Sequence, residues 1–218
     1  MYSSIINSVL YDALFFRHKI PEGFDRVIGT DGALSVTRRL LGLKEPYFRQ
    51  GIQFFVSEKS NEDFVDTWPV AGGFIWRIPR GASVEYGIMS DPKTAREQLN
   101  EFCRQHKIEI KNLQAWLIPL GLVTTDSDTV AICGGDACGN TKPWSGGGVI
   151  WGLTAANILL KHFPEFRKYN SEMKKFFGRM IWKTELITSL GYILGRTLPQ
   201  VLPAEREIDS DFILATKI

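Results

Sequence analysis

A mixed α/β fold is predicted for this chain, and three observations predict it. Short runs rich in β-branched and aromatic residues, Gln50–Ser57, Gly73–Ile78 and Ala82–Ser90, are bounded by turn residues in the manner of strands. A helical period follows them, with Ala95, Leu99, Phe102 and Cys103 at i, i+4, i+7 and i+8. Two turns that combine aspartate with glycine, Asp31-Gly32 and Gly135-Asp136, each follow a short apolar strand and precede a helix. Strands alternating with helices are the mark of an α/β chain.

The elements follow in order. Ser4–His18 is rich in β-branched and aromatic residues and reads as one or two strands. Phe24–Gly29 is a strand running into the Asp31-Gly32 turn. The helix Val36–Leu41 comes next, with Ser35 as N-cap and Gly42 as its stop. After the three strand candidates, Asp91-Pro92 has the N-cap and first-turn proline expected of a helix start. Lys93, Arg96, Glu97 and Arg104 form that helix's wet side. Ile108–Ile118 returns toward the sheet, and Thr129–Cys133 is a buried strand leading to Asp136. The helix after Gly148 carries no charge until Lys161, which predicts burial on most sides. Pro164 ends it and opens a second helix with an aromatic stripe from Phe166 to Ile181. That helix has a basic face of Arg167, Lys168, Lys174, Lys175, Arg179 and Lys183. A solvated helix packed on the domain accounts for this pattern; contact with anionic lipid headgroups is the sharper alternative. The tail Ile208–Ile218 contains Phe212-Ile213-Leu214, which suggests docking.

Composition narrows the function classes. The 218 residues suffice for one large domain or two small ones, and 44% hydrophobic with 23% charged residues is ordinary for a globular protein. A net charge of +2 gives no reason to expect nucleic acid as a partner. Three cysteines, Cys103, Cys133 and Cys138, have neither metal-ligand spacing nor the even number of a disulfide framework, which favours a reducing cytoplasm. His18, His106 and His162 are scattered, so neither a metal site nor a Ser-His-Asp triad is indicated. The N-terminus does not read as a signal peptide, and no apolar run reaches the roughly 18 residues of a spanning helix.

The chemistry is concentrated in the two aspartate-glycine segments. Gly135-Asp136-Ala137-Cys138-Gly139 is followed by Pro143 and then by Gly146-Gly147-Gly148 at the start of the long apolar helix. A helix start offers unpaired N–H groups and a partial positive charge, and glycines let a flat or anionic ligand approach them. Asp136 is placed to accept hydrogen bonds from ligand hydroxyls. Cys138 reads as space filling, since no base stands near enough to activate it.

Taken with Phe24–Ser35, these segments resemble the second and third cofactor motifs of FAD-dependent oxidoreductases of the para-hydroxybenzoate hydroxylase type. Within that group the chain looks most like the geranylgeranyl reductases, which saturate prenyl double bonds of isoprenoid lipids. Phe74-Ile75-Trp76-Arg77-Ile78-Pro79 is similar to that family's Tyr-x-Trp-x-Phe-Pro segment, with Phe74 in place of Tyr and Ile78 in place of Phe. The resemblance implies a partial FAD-binding region over residues 1–48, a substrate-domain sheet and helix over 49–120, a second FAD-binding region over 121–163 and a helical region over 164–218. It implies FAD contacts at Asp31, Gly32, Gly135, Asp136, Pro143, Gly146, Gly147 and Gly148. Phe74, Trp76 and Pro79 would wall a hydrophobic path for a prenyl chain. The implied chemistry is hydride transfer from reduced flavin to an alkene, with no proton donor or other catalytic residue identified and the electron donor unknown.

No Gly-x-Gly-x-x-Gly turn precedes Asp31, and residues Met1–Ile20 contain no glycine. The expectation is a truncated relative or the rear part of a longer protein, one that recruits a separate N-terminal half, self-associates, or fills the gap with Ser4–Phe16. Besides the isoprenoid reductase, two readings stay open: a flavin monooxygenase or quinone-linked carrier, and a non-catalytic interaction module. A cytoplasmic location with peripheral membrane contact goes with the lipid-substrate reading.

Overall fold

A computed structural model of the chain describes residues 19–20 and 23–198. The strands and docking segment expected at Ser4–His18 and Ile208–Ile218 lie outside the described residues. Residues 19–20 and 23–198 form two compact units. The first comprises the described residues up to Tyr47, Pro119–Thr141 and Gly147–Ile181; the second comprises Phe48–Ile118, Lys142–Gly146 and the described residues from Trp182.

The first unit is built on β1 (Val27–Gly29) and β7 (Val130–Ile132), which pair in parallel with Ile28 opposite Ala131. β7 is buried at all three positions, the apolar run of a strand covered on both faces. Helix α1 (Val36–Leu40) follows β1, and the Ser35 side chain accepts from the Arg38 N–H as its N-cap. Gly42, just past its end, has φ +64. Helix α3 (Val149–His162) buries Trp151, Ala155, Ile158 and Leu159. Its other face departs from the sequence expectation. Val149, Leu153 and Leu160 are exposed, because a charge-free helix still has only one covered stripe here.

Helix α4 (Phe166–Thr197) begins two residues after Pro164 and contributes its first half to this unit. Phe166, Tyr169, Met173, Phe177 and Ile181 are buried along one stripe, as the spacing predicts, whereas Phe176 stays exposed. The Tyr169 hydroxyl donates to the Ile132 carbonyl at 2.9 Å, tying α4 to β7. Much of the expected basic face is neutralised. Arg167 pairs with Asp128, Lys168 with Glu165 and Lys174 with Asp126.

The second unit is a sheet of strand order β3-β4-β5-β2-β6. Its strands are β2 (Tyr47–Val56), β3 (Asp66–Val70), β4 (Gly73–Pro79), β5 (Val84–Ser90) and β6 (Gln114–Leu120). The pairings β3·β4, β4·β5 and β5·β2 are antiparallel. Period-2 alternation sends Ile52, Phe54, Ile75, Val84, Tyr86 and Ile88 to one face. There they pack on Ala95, Leu99, Phe102 and Cys103 of helix α2 (Ala95–His106). That helix starts later than the Asp91-Pro92 signal suggests. Asp91 heads a turn instead: its carboxylate accepts from Lys93 N, and its carbonyl accepts from Thr94 N and Ala95 N. β6 likewise begins at Gln114 rather than Ile108, while Ile108, Ile110 and Leu113 pack against the core without pairing as strand.

The opposite face is shaped by two strand glycines that leave room for tryptophan. A Cβ on Gly87 would lie 2.2 Å from Trp76 Cζ2 and 2.7 Å from the Ile52 carbonyl oxygen. A Cβ on Gly51 would lie 2.9 Å from Trp116 Nε1. Each indole therefore occupies the space of the side chain its neighbour lacks. Gly87→Ala is expected to destabilise by about 2 kcal/mol through overpacking against backbone. Gly178→Ala, where nothing lies within 4 Å of the new Cβ, should stabilise α4 by up to about 1 kcal/mol. Urea unfolding midpoints at unchanged m-value measure both.

Candidate functional site

Two loops leave the carboxyl ends of β1 and β7 side by side, the edge of a parallel sheet where α/β proteins gather their ligands. The ladder continues one residue beyond the strands, with Cys133 N donating to the Gly29 carbonyl at 2.9 Å. Beyond it the backbone turns sharply: Gly134 has φ +85, and a Cβ there would touch Thr30 at 4.0 Å. The structure thus brings the Asp31-Gly32 and Gly135-Asp136 segments to one edge.

The two aspartates at that edge do different things. Asp31, though exposed, is bonded to the start of its own helix: Oδ1 accepts from Ser35 Oγ at 2.6 Å, and Oδ2 accepts from Thr37 N at 2.9 Å and Thr37 Oγ1 at 3.2 Å. Burial opposes its ionisation, but these hydrogen bonds outweigh it and hold the carboxyl below its ordinary value. Asp31 therefore anchors the start of α1. The turn beside it is open, for Gly32 has φ +79 and nothing within 4 Å of its Cβ position.

Asp136 is the outward-facing acid. It is exposed, and its carboxylate makes no hydrogen bond or ion pair among the described residues. Protein crowded around it nevertheless raises its pKa by desolvation. Its Oδ1 lies 3.4 Å from where a Cβ on Gly148 would stand. Gly148 is the N-cap of α3 and supplies no side-chain cap, and the first turn of α3 has no acidic residue. An unpartnered carboxylate thus sits at a helix start whose N–H groups lack a side-chain acceptor.

Glycine at this point serves the protein's own packing as well. A Cβ on Gly135 would meet the Gly148 carbonyl oxygen at 2.9 Å, and one on Gly152 would meet Gly135 N at 2.9 Å. The loop and the first turn of α3 cross backbone to backbone. Pro143 and Gly146 fall in the segment Lys142–Gly146, which belongs to the sheet unit. Pro143 is buried, and a Cβ on Gly146 would press on Met89 Sδ at 2.8 Å and Ile118 Cδ1 at 3.1 Å. Gly146 is thereby kept bare by the sheet. Gly147 precedes Gly148 within the first unit.

The residue that sequence reasoning missed is Arg38, whose side chain is fully buried. Its Nη2 donates to the Ala33 carbonyl at 2.7 Å and its Nη1 to the Ala137 carbonyl at 2.7 Å. Its Nε and Nη2 also engage Glu45 Oε2 at 3.0 and 2.5 Å. One guanidinium therefore ties the loop after Asp31 to the loop after Asp136. The available signal was an arginine within a five-residue helix and a carboxylate seven residues on. The three cysteines are buried and unpaired, and burial pushes the Cys138 thiol up to about 12 and the Cys103 thiol up to about 11. Neither has the character of a nucleophile.

In the sheet unit the expected wall residues divide between the faces. Phe74 pairs with Met89 and Trp76 with Gly87, so both lie on the face opposite α2. Their rings stand 5.8 Å apart, and Tyr192 lies 6.5 Å from Phe74. Trp76 Nε1 donates to Glu85 Oε1 at 2.9 Å, and Arg80 holds the other carboxylate oxygen at 2.7 Å. Pro79 pairs with Val84, on the face that α2 covers. Trp116 and Ile118 join Phe74 and Trp76 on the face opposite α2, beside Gly51 and Gly146.

No family model matches the chain. An uncharacterised protein of Methanocaldococcus jannaschii is 29% identical over 214 residues, 86% of this chain and 54% of that protein. A digeranylgeranylglycerophospholipid reductase of Methanococcus aeolicus is 33% identical over 110 residues, 45% of this chain and 28% of the reductase. The chain thus spans about half the length of the first relative and less of the second. Among solved structures, a flavin-dependent halogenase from Xanthomonas campestris superposes with a TM-score of 0.54 at 16% identity, over 72% of this chain and 35% of the halogenase. The chain accordingly has a mixed α/β fold shared with part of the flavin-dependent halogenases.

Two outcomes follow from this geometry. Arg38→Ala removes the partner of Glu45 and of two buried carbonyls, and should cost about 3 kcal/mol in a denaturant titration. Asp136→Asn should raise stability at neutral pH, where the wild-type carboxylate is ionised against its desolvation. Because folding raises the Asp136 pKa, wild type loses relative stability as pH rises from the unfolded-state value near ~3.9 through the folded value. The melting-temperature difference between variant and wild type should therefore vanish below that window and reach its full value above it.

Proposed function

We propose that this chain forms the strand-end and sheet portions of an FAD-dependent oxidoreductase that saturates prenyl double bonds of isoprenoid lipids. The observation that carries the reading is Asp136, a carboxylate without a partner among the described residues, held at the carboxyl ends of parallel strands beside a helix start with no side-chain cap. The fold is that of flavin-dependent enzymes, and the partial likeness to an archaeal digeranylgeranylglycerophospholipid reductase supports the lipid substrate.

The residues present fit a flavin dinucleotide. Asp136 would accept hydrogen bonds from its hydroxyl groups, and the first turn of α3 would offer N–H groups and a positive dipole end to its anionic portion. Gly32 leaves the first loop open, and Gly148 leaves the helix start bare. Asp31 fits a different duty, since its carboxylate already holds Ser35 and Thr37. When bound, FAD supplies the hydride chemistry that no side chain can. The chain's own contribution is to orient the cofactor, neutralise its charge and offer the substrate an apolar wall. Phe74, Trp76 and Trp116, on the sheet face opposite α2, have the apolar chemistry for a prenyl chain, and the one carboxylate bonded to Trp76, Glu85, is already paired with Arg80.

The test is the visible spectrum of the purified chain after incubation with FAD and gel filtration. Retained, band-shifted flavin absorbance is expected for wild type. Asp136→Asn, folded by circular dichroism, should lower flavin affinity by about tenfold, the value of a charge-assisted hydrogen bond. Anaerobic turnover with chemically reduced flavin and a prenylated glycerophospholipid should then add H2 per double bond by mass spectrometry. A protein that stays colourless at saturating FAD contradicts cofactor binding. A flavin-loaded protein that consumes oxygen and leaves the prenyl chain intact contradicts the reductase in favour of a monooxygenase.

A further inference from the structure

The far half of α4 carries a surface that the flavin reading does not use. From Trp182 onward the helix turns Trp182, Leu186, Ile187, Leu190, Ile193 and Leu194 to solvent. Three of these, Trp182, Ile187 and Ile193, are 65%, 61% and 59% exposed. They recur at i, i+4, i+5, i+8, i+11 and i+12, which places them on one stripe of the helix. At a rise of about 1.5 Å per residue the stripe runs for roughly 20 Å. A continuous apolar surface of this length on a soluble domain marks an interaction site.

The charges of the same helix identify the occupant. Lys175, Arg179 and Lys183 occupy the exposed stripe in the turns leading to the apolar stretch, and Arg196 lies near its end. None of the four makes an ion pair among the described residues, unlike Arg167, Lys168 and Lys174. Glu185 is the one acid between Trp182 and Leu198, and it is half-buried, away from the stripe. A protein partner with an apolar groove would match the leucines and isoleucines but gives no reason for cations in line with them. A tryptophan stands where the basic stretch gives way to the apolar one, the position such a ring takes at a membrane–water boundary. No helix among the described residues is long and apolar enough to cross a membrane.

We infer that the Trp182–Thr197 half of α4 lies in the surface of an anionic lipid bilayer, its leucine and isoleucine stripe against the acyl chains. Lys175, Arg179 and Lys183 meet the headgroup phosphates, and Trp182 sits at the boundary. Apolar burial gives the depth, and the cations give the preference for anionic lipid. The inference is independent of flavin binding, and its readouts involve none.

Sedimentation of the full chain with vesicles of phosphatidylglycerol and phosphatidylcholine tests it, against vesicles of phosphatidylcholine alone. Strong partitioning onto the anionic vesicles, weakening with salt, is expected. Lys175→Gln, Arg179→Gln and Lys183→Gln together should reduce it about a hundredfold, since each cation near such a surface contributes about fivefold. Leu190→Glu should abolish it, with helicity and melting temperature retained as the control of folding. Loss of the Trp182 contribution in Trp182→Phe should remove a blue shift of fluorescence on vesicle addition. Equal binding to neutral vesicles, or none to either, overturns the inference. So does a dimer in sedimentation velocity that Leu190→Glu dissociates while wild type ignores vesicles, which would assign the stripe to a second copy.

Discussion

Everything the candidate site offers depends on one buried guanidinium. Arg38 stands on a helix too short to hold itself together, since isolated helices of a single turn are unstable in water. Two groups of contacts fix that turn. Asp31 and Ser35 satisfy its N-terminal N–H groups, and Arg38 binds the carbonyls of Ala33 and Ala137. A buried cation requires such partners, because leaving it unpaired in the interior costs several kcal/mol. The requirement works in both directions: the loops must stay where the guanidinium finds their carbonyls, and Asp136 stays at the protein's surface as a result. Glu45, half open to solvent, completes the charge balance at the least buried side.

The division of labour between the two aspartates follows from what surrounds each. Asp31 is encircled by donors from its own helix, so its carboxyl is held below the ordinary range and its oxygens are committed. Asp136 faces a helix start of glycines and has crowding but no donor among the described residues, so its carboxyl is raised. A group held at a cost without a partner inside the chain is the physical mark of a binding position. Trp76 makes a similar point on the sheet. Its indole is given space by Gly87 and an acceptor by Glu85, which leaves the ring as a fixed apolar surface.

Much of this was legible in the sequence because it is local. The Asp-Gly turn, the Ser35 cap, the buried Thr129–Cys133 strand and the Ala95–Cys103 helix face are set by neighbours within a few residues, and each is present. What could not be read depends on long-range pairing. Arg38 meets Ala137 across 99 residues, and nothing in the helix announces it. Gly146 was read as part of a ligand cradle, yet its bareness is demanded by Met89 and Ile118. Pro79 belongs to the same short motif as Phe74 and Trp76, but odd spacing on a strand sends it to the opposite face. The charge-free helix after Gly148 reads in sequence as buried on most sides, and its outer face is open. Periodicity shows which residues share a stripe, and only packing shows which stripe is covered.

The proposed flavin site joins the strand-end loops to the first turn of α3. Amide hydrogen exchange by mass spectrometry, with and without saturating FAD, tests it most directly. The account predicts slowed exchange in peptides covering Gly29–Arg38 and Gly134–Gly152, with that protection lost in Asp136→Asn. Protection confined to other segments, or none while the protein remains folded, would contradict it.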